Sequence, residues 1–328
     1  MSLSDQLQKL SQPISDGNPC GENLEDTQLL ASFDAYRLFG ATTPPGNEID
    51  WRKMRDESLD ALDKSHDLRL LAHFAAASTR LEGWMGFLGS IGIAAGWSRA
   101  NWDAMFPRID EDAILRKNAL SCFSDRMAIL DGLRRASIVE HKQLGKVTLR
   151  DVEMAAGEVQ PTAADTSPVS DSQITAVLAA AELPPLQGLA TGLASALSDL
   201  AALESQMRDV GGTDSSPDFD PLKVVLTRVR KLVDSQLAAR GVGAATAAGD
   251  ATDAAAGGAV GAIKSRADAM RAMDAIATFF KQTEPSSPVP LFLERARRLV
   301  GKNFLEVLSD VAPDGMTTAR AAGGIKDE

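Results

Sequence analysis

Two long stripes of apolar residues in the middle of the chain constrain its fold most strongly. Leucines and one methionine recur every three or four positions between residues 186 and 207, and Leu and Val do the same between residues 222 and 237. This period places each set on one face of a helix. The segment Asp214–Pro221 contains two prolines and separates the stripes. The sequence therefore predicts an antiparallel helical hairpin, with each stripe long enough to pack against a partner chain.

The first 160 residues show helix-start signals and apolar residues at the same helical spacing. Asp50 and Asp67 each precede such a pattern and are predicted N-caps, and Thr148 with Asp151 resembles a capping box. A weaker, glycine-interrupted helical stretch ends near Pro107, and another helix is predicted to run to about residue 136. No segment shows a convincing strand pattern. The predicted fold class is all-α.

Composition divides the chain into parts. Sixteen of the 22 residues in Gly241–Ala262 are Ala or Gly, so this segment has little to bury and is predicted to be a flexible tether. Pro, Ser, Thr and Asp cluster in Gln160–Ser172, which marks a softer boundary. The predicted layout is a helical N-terminal domain (1–160), a linker (161–171), a middle helical hairpin (172–240), an Ala/Gly-rich linker (241–264) and a small helical oligomerisation domain (265–328).

Charge is distributed unevenly over a chain whose net charge is −11. Residues 1–140 and 141–262 each carry −6, whereas residues 263–328 carry +1. The acidic balance argues against binding to nucleic acid. The longest charge-free runs have 16 residues, short of the roughly 20 that a membrane span needs, so no direct membrane insertion is predicted. Two cysteines and no apolar leader indicate a reducing, cytoplasmic location.

Residues able to support chemistry are few and scattered. His66 and His73 are seven apart and can share a helix face, but no third ligand of suitable spacing accompanies them. His66 is predicted to be a capping or surface residue, His73 semi-buried and His141 solvated in a linker. Cys20 lies in a turn, and Cys122 lies on an apolar stripe and is predicted to be core. No phosphate-binding loop or nucleophile elbow occurs, so no catalytic residue, cofactor or metal is predicted.

Two stretches carry a resemblance to a known family. The first contains PCGENLED, then DWRKMRDESLDALDKSHDLRLLAHFAAASTRLEG and WDAMFPRID, all before residue 111. It resembles the ImpA-type N-terminal domain of the TssA family of type VI secretion proteins. The second, from Arg266 to Gly315, contains EPSSPVP, LERARRLV and PDG. It is similar to the C-terminal domain of the shorter members of that family.

The resemblance implies a function in assembly. It implies a non-enzymatic component that forms a homo-oligomeric ring through its C-terminal domain and recruits baseplate, tail tube or sheath proteins. It places the protein in the cytoplasm, at the inner face of the membrane where the secretion complex holds it. The short chain and the EPSSPVP block favour the baseplate over a distal tail-cap role in sheath polymerisation. A helical enzyme with an unrecognised site is the alternative of a different class, supported by the histidine pair and the carboxylate-rich helices.

The C-terminal block also supplies the residues predicted to mediate interaction. Three prolines fix the backbone of Glu284–Pro290 and remove amide donors, which makes a stiff connector into the next helix. A domain of about 60 residues buries a limited fraction of its surface, so self-association would cover what remains. The proline block could also be only a helix–helix turn, and both readings can hold. The predicted oligomerisation and interaction residues are Glu284, Pro285, Ser286, Ser287, Pro288, Pro290, Leu291, Arg295, Arg298, Leu299 and Phe304.

Overall fold

The computed structural model describes residues 2–45, 49–109, 113–162, 169–242, 266–283 and 288–299. The chain forms two compact units, Met1–Ala248 and Gly249–Glu328. The described residues are largely helical, as the sequence predicts, but they also include a small two-stranded sheet.

The helices of the first unit are α1 (Leu3–Leu10), α2 (Gln28–Ala31), α3 (Trp51–Leu62), α4 (Leu68–Asn101), α5 (Ile114–Ser121), α6 (Asp131–Arg135), α7 (Leu149–Ala155), α8 (Asp171–Ala180), α9 (Leu183–Gly211) and α10 (Asp220–Ala239). A 3-10 segment, Ser32–Tyr36, extends α2. Two strands, β1 (Ser137–His141) and β2 (Gly145–Thr148), lie between α6 and α7. The second unit contains α11 (Arg266–Thr283) and α12 (Val289–Leu299).

The predicted caps are present and explain where three helices begin. Asp50 accepts from the backbone N–H groups of Arg52 and Lys53 at 3.1 and 3.0 Å, at the start of α3. Asp67 accepts from the N–H of Arg69 at 2.8 Å, at the start of α4. At α7, the side chains of Thr148 and Asp151 each accept from the other's backbone N–H. Each cap pairs amide groups that a helix N-terminus leaves without an intrahelical partner.

Helix α4 runs through the centre of the first unit and contains one break. Gly83 has φ 65° and ψ −142°, a combination that side chains oppose. Most residues in each half of the helix are buried, so both halves contribute to the core. The helix ends at Asn101. Phe106, which follows it, donates its backbone N–H to the His66 carbonyl oxygen at 3.0 Å, just before the start of α4.

The prediction that no strand is present is wrong between α6 and α7. β1 and β2 pair antiparallel, with Val139 opposite Val147 and His141 opposite Gly145. Gly145 has φ 90°, which allows the tight turn between them. Both strands are too short to show alternation against the flanking helical pattern. His141 consequently lies in a strand and not in a solvated linker.

The helix predicted to run to residue 136 is also interrupted. α5 ends at Ser121, and a 3-10 turn over Cys122–Ser124 follows it. Asp125 then starts a new helical segment by accepting from the N–H groups of Met127 and Ala128 at 2.9 and 2.8 Å. The interruption arises because the Asp125 carboxylate takes the amide groups that a continuous helix would use.

Helices α9 and α10 cover the two predicted apolar stripes and pack against each other, and both stripes are buried within the chain. α9 packs against α4 as well as α10. These two helices cover its leucine stripe, which is predicted from the sequence to be long enough to pack against a partner chain. Lys223 on α10 lies 2.7 Å from Glu204 on α9, and Arg99 on α4 lies 2.7 Å from Asp199 on α9. These ion pairs flank the apolar contact.

Among the described helices, α9 is long and apolar enough to cross a membrane by length and composition. At 29 residues, α9 is longer than the 16-residue charge-free runs from which the sequence predicts no membrane insertion. Core helices meet the same test, and the leucine stripe of α9 includes Leu193 and Leu200, both fully buried.

A buried arginine on α5 binds the backbone of the segment that joins α4 to α5. Arg116 is 0% exposed, and its guanidinium donates to the carbonyl oxygens of Pro107, Trp102 and Met105 at 2.8, 2.6 and 2.7 Å. It also lies over the Trp102 ring at 4.7 Å. Its donors satisfy carbonyl groups that the end of α4 and the following turn leave open.

Candidate interaction surface

Two ion pairs hold the C-terminal helices α11 and α12 together. Lys281 on α11 lies 2.7 Å from Glu294 on α12, and Arg297 on α12 lies 2.6 Å from Asp274 on α11. The hydrogen bond from Lys281 lowers the pKa of Glu294 below its ordinary value. Because the side chains of both pairs are about half exposed, they fix the relative position of the two helices more than they stabilise them.

Large apolar side chains remain exposed on this helix pair. Leu291 is 71% exposed, Phe292 68%, Phe279 57% and Ile276 41%. Exposed single apolar residues are common, but four of them lie on these two neighbouring helices. The described part of this unit therefore presents apolar surface that a protein partner could cover.

The structure places only some of the predicted interaction residues. Pro288 accepts from the N–H of Leu291 at 3.1 Å and so begins α12, which confirms the helix start after the proline block. Pro290 is buried and Leu291 exposed. Arg295 and Leu299 are half-buried, and Arg298 is exposed. The remaining predicted residues, Glu284, Pro285, Ser286, Ser287 and Phe304, lie outside the described residues.

Two exposed aromatic residues were not predicted to be part of this surface. Phe279 on α11 is adjacent to Phe280, with the ring centroids 5.5 Å apart. Phe292 is adjacent to Leu291. Neighbouring residues on a helix point about 100° apart, so a pair of adjacent large apolar residues already indicates that one of them leaves the packed face. That signal was available in the sequence.

The two histidines of the first unit lie in separate surroundings. His66 is 2% exposed and stacks on Trp97 with the ring centroids 4.2 Å apart, so its prediction as a capping or surface residue is wrong. Burial lowers the pKa of His66 to about 4. His73 is buried, and its Nδ1 lies 2.9 Å from the Arg69 carbonyl oxygen. The pair does not converge on a common cleft.

The cysteines also have separate positions. Cys20 is buried, and its carbonyl oxygen accepts from the N–H of His66 at 2.9 Å. Cys122 is half-buried and packs against the edge of the core, so its prediction as a core residue holds only in part. Burial nevertheless raises the pKa of the Cys122 thiol to about 12. Within the described ranges, no group of three or more His, Cys, Asp or Glu could hold a metal ion.

A cleft of about 510 Å³ opens beside His73. One wall is the segment Glu25–Phe39, which includes α2 and the 3-10 turn after it, and the other includes α4. Cys122 also lines the cleft. Its lining combines aromatic rings and carboxylates with one arginine, Arg69.

Comparisons with known proteins agree with the N-terminal resemblance. Residues 11–134 match the family described as ImpA, N-terminal, type VI secretion system. Over 340 aligned positions the chain is 27% identical to the type VI secretion system component TssA1 of Pseudomonas aeruginosa, covering 96% of this chain and 97% of that protein.

A solved structure shows the same fold. It is the N-terminal domain, including the conserved ImpA_N region, of the TssA component of the type VI secretion system from Burkholderia cenocepacia. The TM-score is 0.55 at 23% identity, and the match covers 74% of this chain and 96% of that one. Residues 11–134 therefore belong to the ImpA N-terminal family, and the chain along almost its whole length is similar to a TssA component of a type VI secretion system.

Proposed function

We propose that this protein is a non-enzymatic assembly component of the type VI secretion system in the cytoplasm. In this proposal its C-terminal unit forms a homo-oligomeric ring, and its N-terminal unit recruits baseplate and tail proteins. The observation that carries the proposal is the exposed apolar set of Ile276, Phe279, Leu291 and Phe292 on α11 and α12. Burying such surface between copies would stabilise an oligomer.

The charge distribution supports self-association at this end of the chain. Residues 263–328 carry 10 basic and 9 acidic residues, so copies of this unit would meet with little net repulsion. The residues before them carry a net charge of −12, which disfavours close packing between copies. The Ala/Gly-rich segment between the two parts would allow several N-terminal units to act from one ring and raise avidity for weakly bound partners.

An enzymatic function is not favoured. His66 and His73 were its main support, and they lie in different surroundings, one stacked on Trp97 and the other hydrogen-bonded to a backbone carbonyl. A catalytic site requires convergent groups.

Light scattering on the full chain at micromolar concentration tests the proposal. The expected mass is several times the 34.7 kDa of one chain. The double variant Leu291→Ser/Phe292→Ser should have a mass close to that of one chain, because it replaces the two most exposed apolar side chains of α12.

Val224→Ser is the matched control, since Val224 is 67% exposed but lies on α10 of the first unit. It should leave the mass unchanged. A single-chain mass for the unaltered protein, or an unchanged oligomer in the double variant, would refute assembly through this surface.

A further inference from the structure

The cleft beside His73 has an aromatic interior. The Phe33 and His73 rings lie 5.0 Å apart, and Phe39 meets His73 edge-on at 4.9 Å. Leu30 adds an aliphatic wall. Phe33 is buried and Phe39 half-buried, so part of the aromatic surface is reached from the opening. An apolar stem and a flat group fit such an interior.

The rim of the cleft is acidic. Glu25, Asp26 and Asp34 line it, and Asp26 and Asp34 are both exposed. Within the described part of the chain, neither Asp26 nor Asp34 makes an ion pair with a Lys, Arg or His side chain. The rim therefore has two carboxylates whose charge is not offset locally.

The positively charged residue in the lining is already neutralised. The Arg69 guanidinium donates to the Asp67 carboxylate at 2.8 Å and lies 3.5 Å from Glu25. Burial lowers the pKa of His73, which keeps that ring neutral. The cleft is consequently complementary to a cation and would repel an anionic ligand.

We propose that this cleft receives an arginine or lysine side chain of a partner protein. The aliphatic stem would lie against Leu30 and the aromatic rings, and the charged end would reach Asp26 and Asp34. Arginine fits best, because its planar guanidinium stacks on rings and pairs with carboxylates at the same time. The proposal rests on the recruiting role proposed above for the N-terminal unit, and it names the chemistry by which that unit would bind.

Ligand-observed saturation-transfer NMR on the full chain tests this proposal. The probes are three acetylated pentapeptides, Gly-Ser-X-Ser-Gly, in which X is arginine, lysine or norleucine. The arginine and lysine peptides should bind and the norleucine peptide should not, because norleucine provides a stem without a charge. The binding should weaken as salt is raised, since the carboxylates are exposed.

The double variant Asp26→Asn/Asp34→Asn should weaken arginine-peptide binding by about fivefold, since exposed charge pairs contribute little individually. Asp209→Asn is the control, an exposed carboxylate on α9 outside the cleft, and it should bind as the unaltered chain does. Equal binding of the norleucine peptide, or unchanged binding by the double variant, would overturn the proposal. Light scattering separates the two proposals, because the double variant should keep the oligomeric mass of the unaltered chain.

Discussion

The two units use similar amphipathic helices but bury them to different extents. In the first unit the stripes of α9 and α10 are covered by each other and by α4, and Leu193 is 0% exposed. Among the described residues of the second unit, α11 and α12 pack against each other, and Leu291 is 71% exposed. A large domain buries a greater fraction of its surface than a small one. The contrast separates a self-sufficient core from a surface suited to association.

The largest predicted loss of stability follows from substitution of Arg116 in the first unit. Replacing it with Met removes five donors and leaves the carbonyl oxygens of Trp102, Met105 and Pro107 buried without this partner. The free energy of unfolding should fall by about 4 kcal/mol, since each unsatisfied buried group costs about 1–3 kcal/mol. Urea denaturation followed by tryptophan fluorescence measures the change.

Arg126→Met is the control, because Arg126 is exposed. It should shift the urea midpoint very little. If Arg116→Met unfolds at the same urea concentration as the unaltered chain, the buried guanidinium does not stabilise the first unit as described.

A leucine substitution in each unit should have very different effects on stability. Leu193→Ala should lower the free energy of unfolding of the first unit by about 3 kcal/mol, because it opens a cavity between packed helices. Leu291→Ala should change the stability of the chain by no more than about 0.5 kcal/mol, as is usual for exposed positions. Urea denaturation of both variants provides the measurement. Equal losses at the two positions would contradict the contrast between the units.

A further predicted loss of stability, smaller than those at Arg116 and Leu193, depends on pH. The pKa of His66 falls from 6.5 to about 4 because its ring is buried against Trp97. Between these values the unfolded chain binds a proton that the folded chain does not, so stability is lost as pH falls from 6.5 towards 4. From pH 7 to pH 5 the loss from this residue should be about 2 kcal/mol.

His66→Phe keeps a ring beside Trp97 and removes the titrating group. Its free energy of unfolding should fall less between pH 7 and pH 5 than that of the unaltered chain, by about the same 2 kcal/mol. Denaturation curves at both pH values give the difference. The same pH dependence in both proteins would show that His66 does not titrate in this way.

Local signals in the sequence were sufficient for much of the helical structure. The caps at Asp50, Asp67 and Thr148, and the hairpin of α9 and α10, follow from side-chain hydrogen bonding and helical periodicity. These interactions join residues that are close in the chain or repeat along one helix face. Sequence patterns report such interactions directly.

The remaining features depend on contacts between distant parts of the chain. His66 is buried because α4 returns Trp97 to stack on it, a contact that spacing does not reveal. The cleft beside His73 requires the segment after Cys20 to fold over α4. On α12, periodicity predicts an apolar face, but only the structure shows that Leu291 stays exposed.

The most direct test of assembly through the C-terminal unit compares the mass of the full chain with that of a chain ending at Ala248, the last residue of the first unit. Sedimentation velocity at the same micromolar concentration would measure both. The full chain should form an oligomer and residues 1–248 should have a single-chain mass, because the shorter chain lacks the exposed apolar surface of α11 and α12. The same degree of association in both proteins would contradict it.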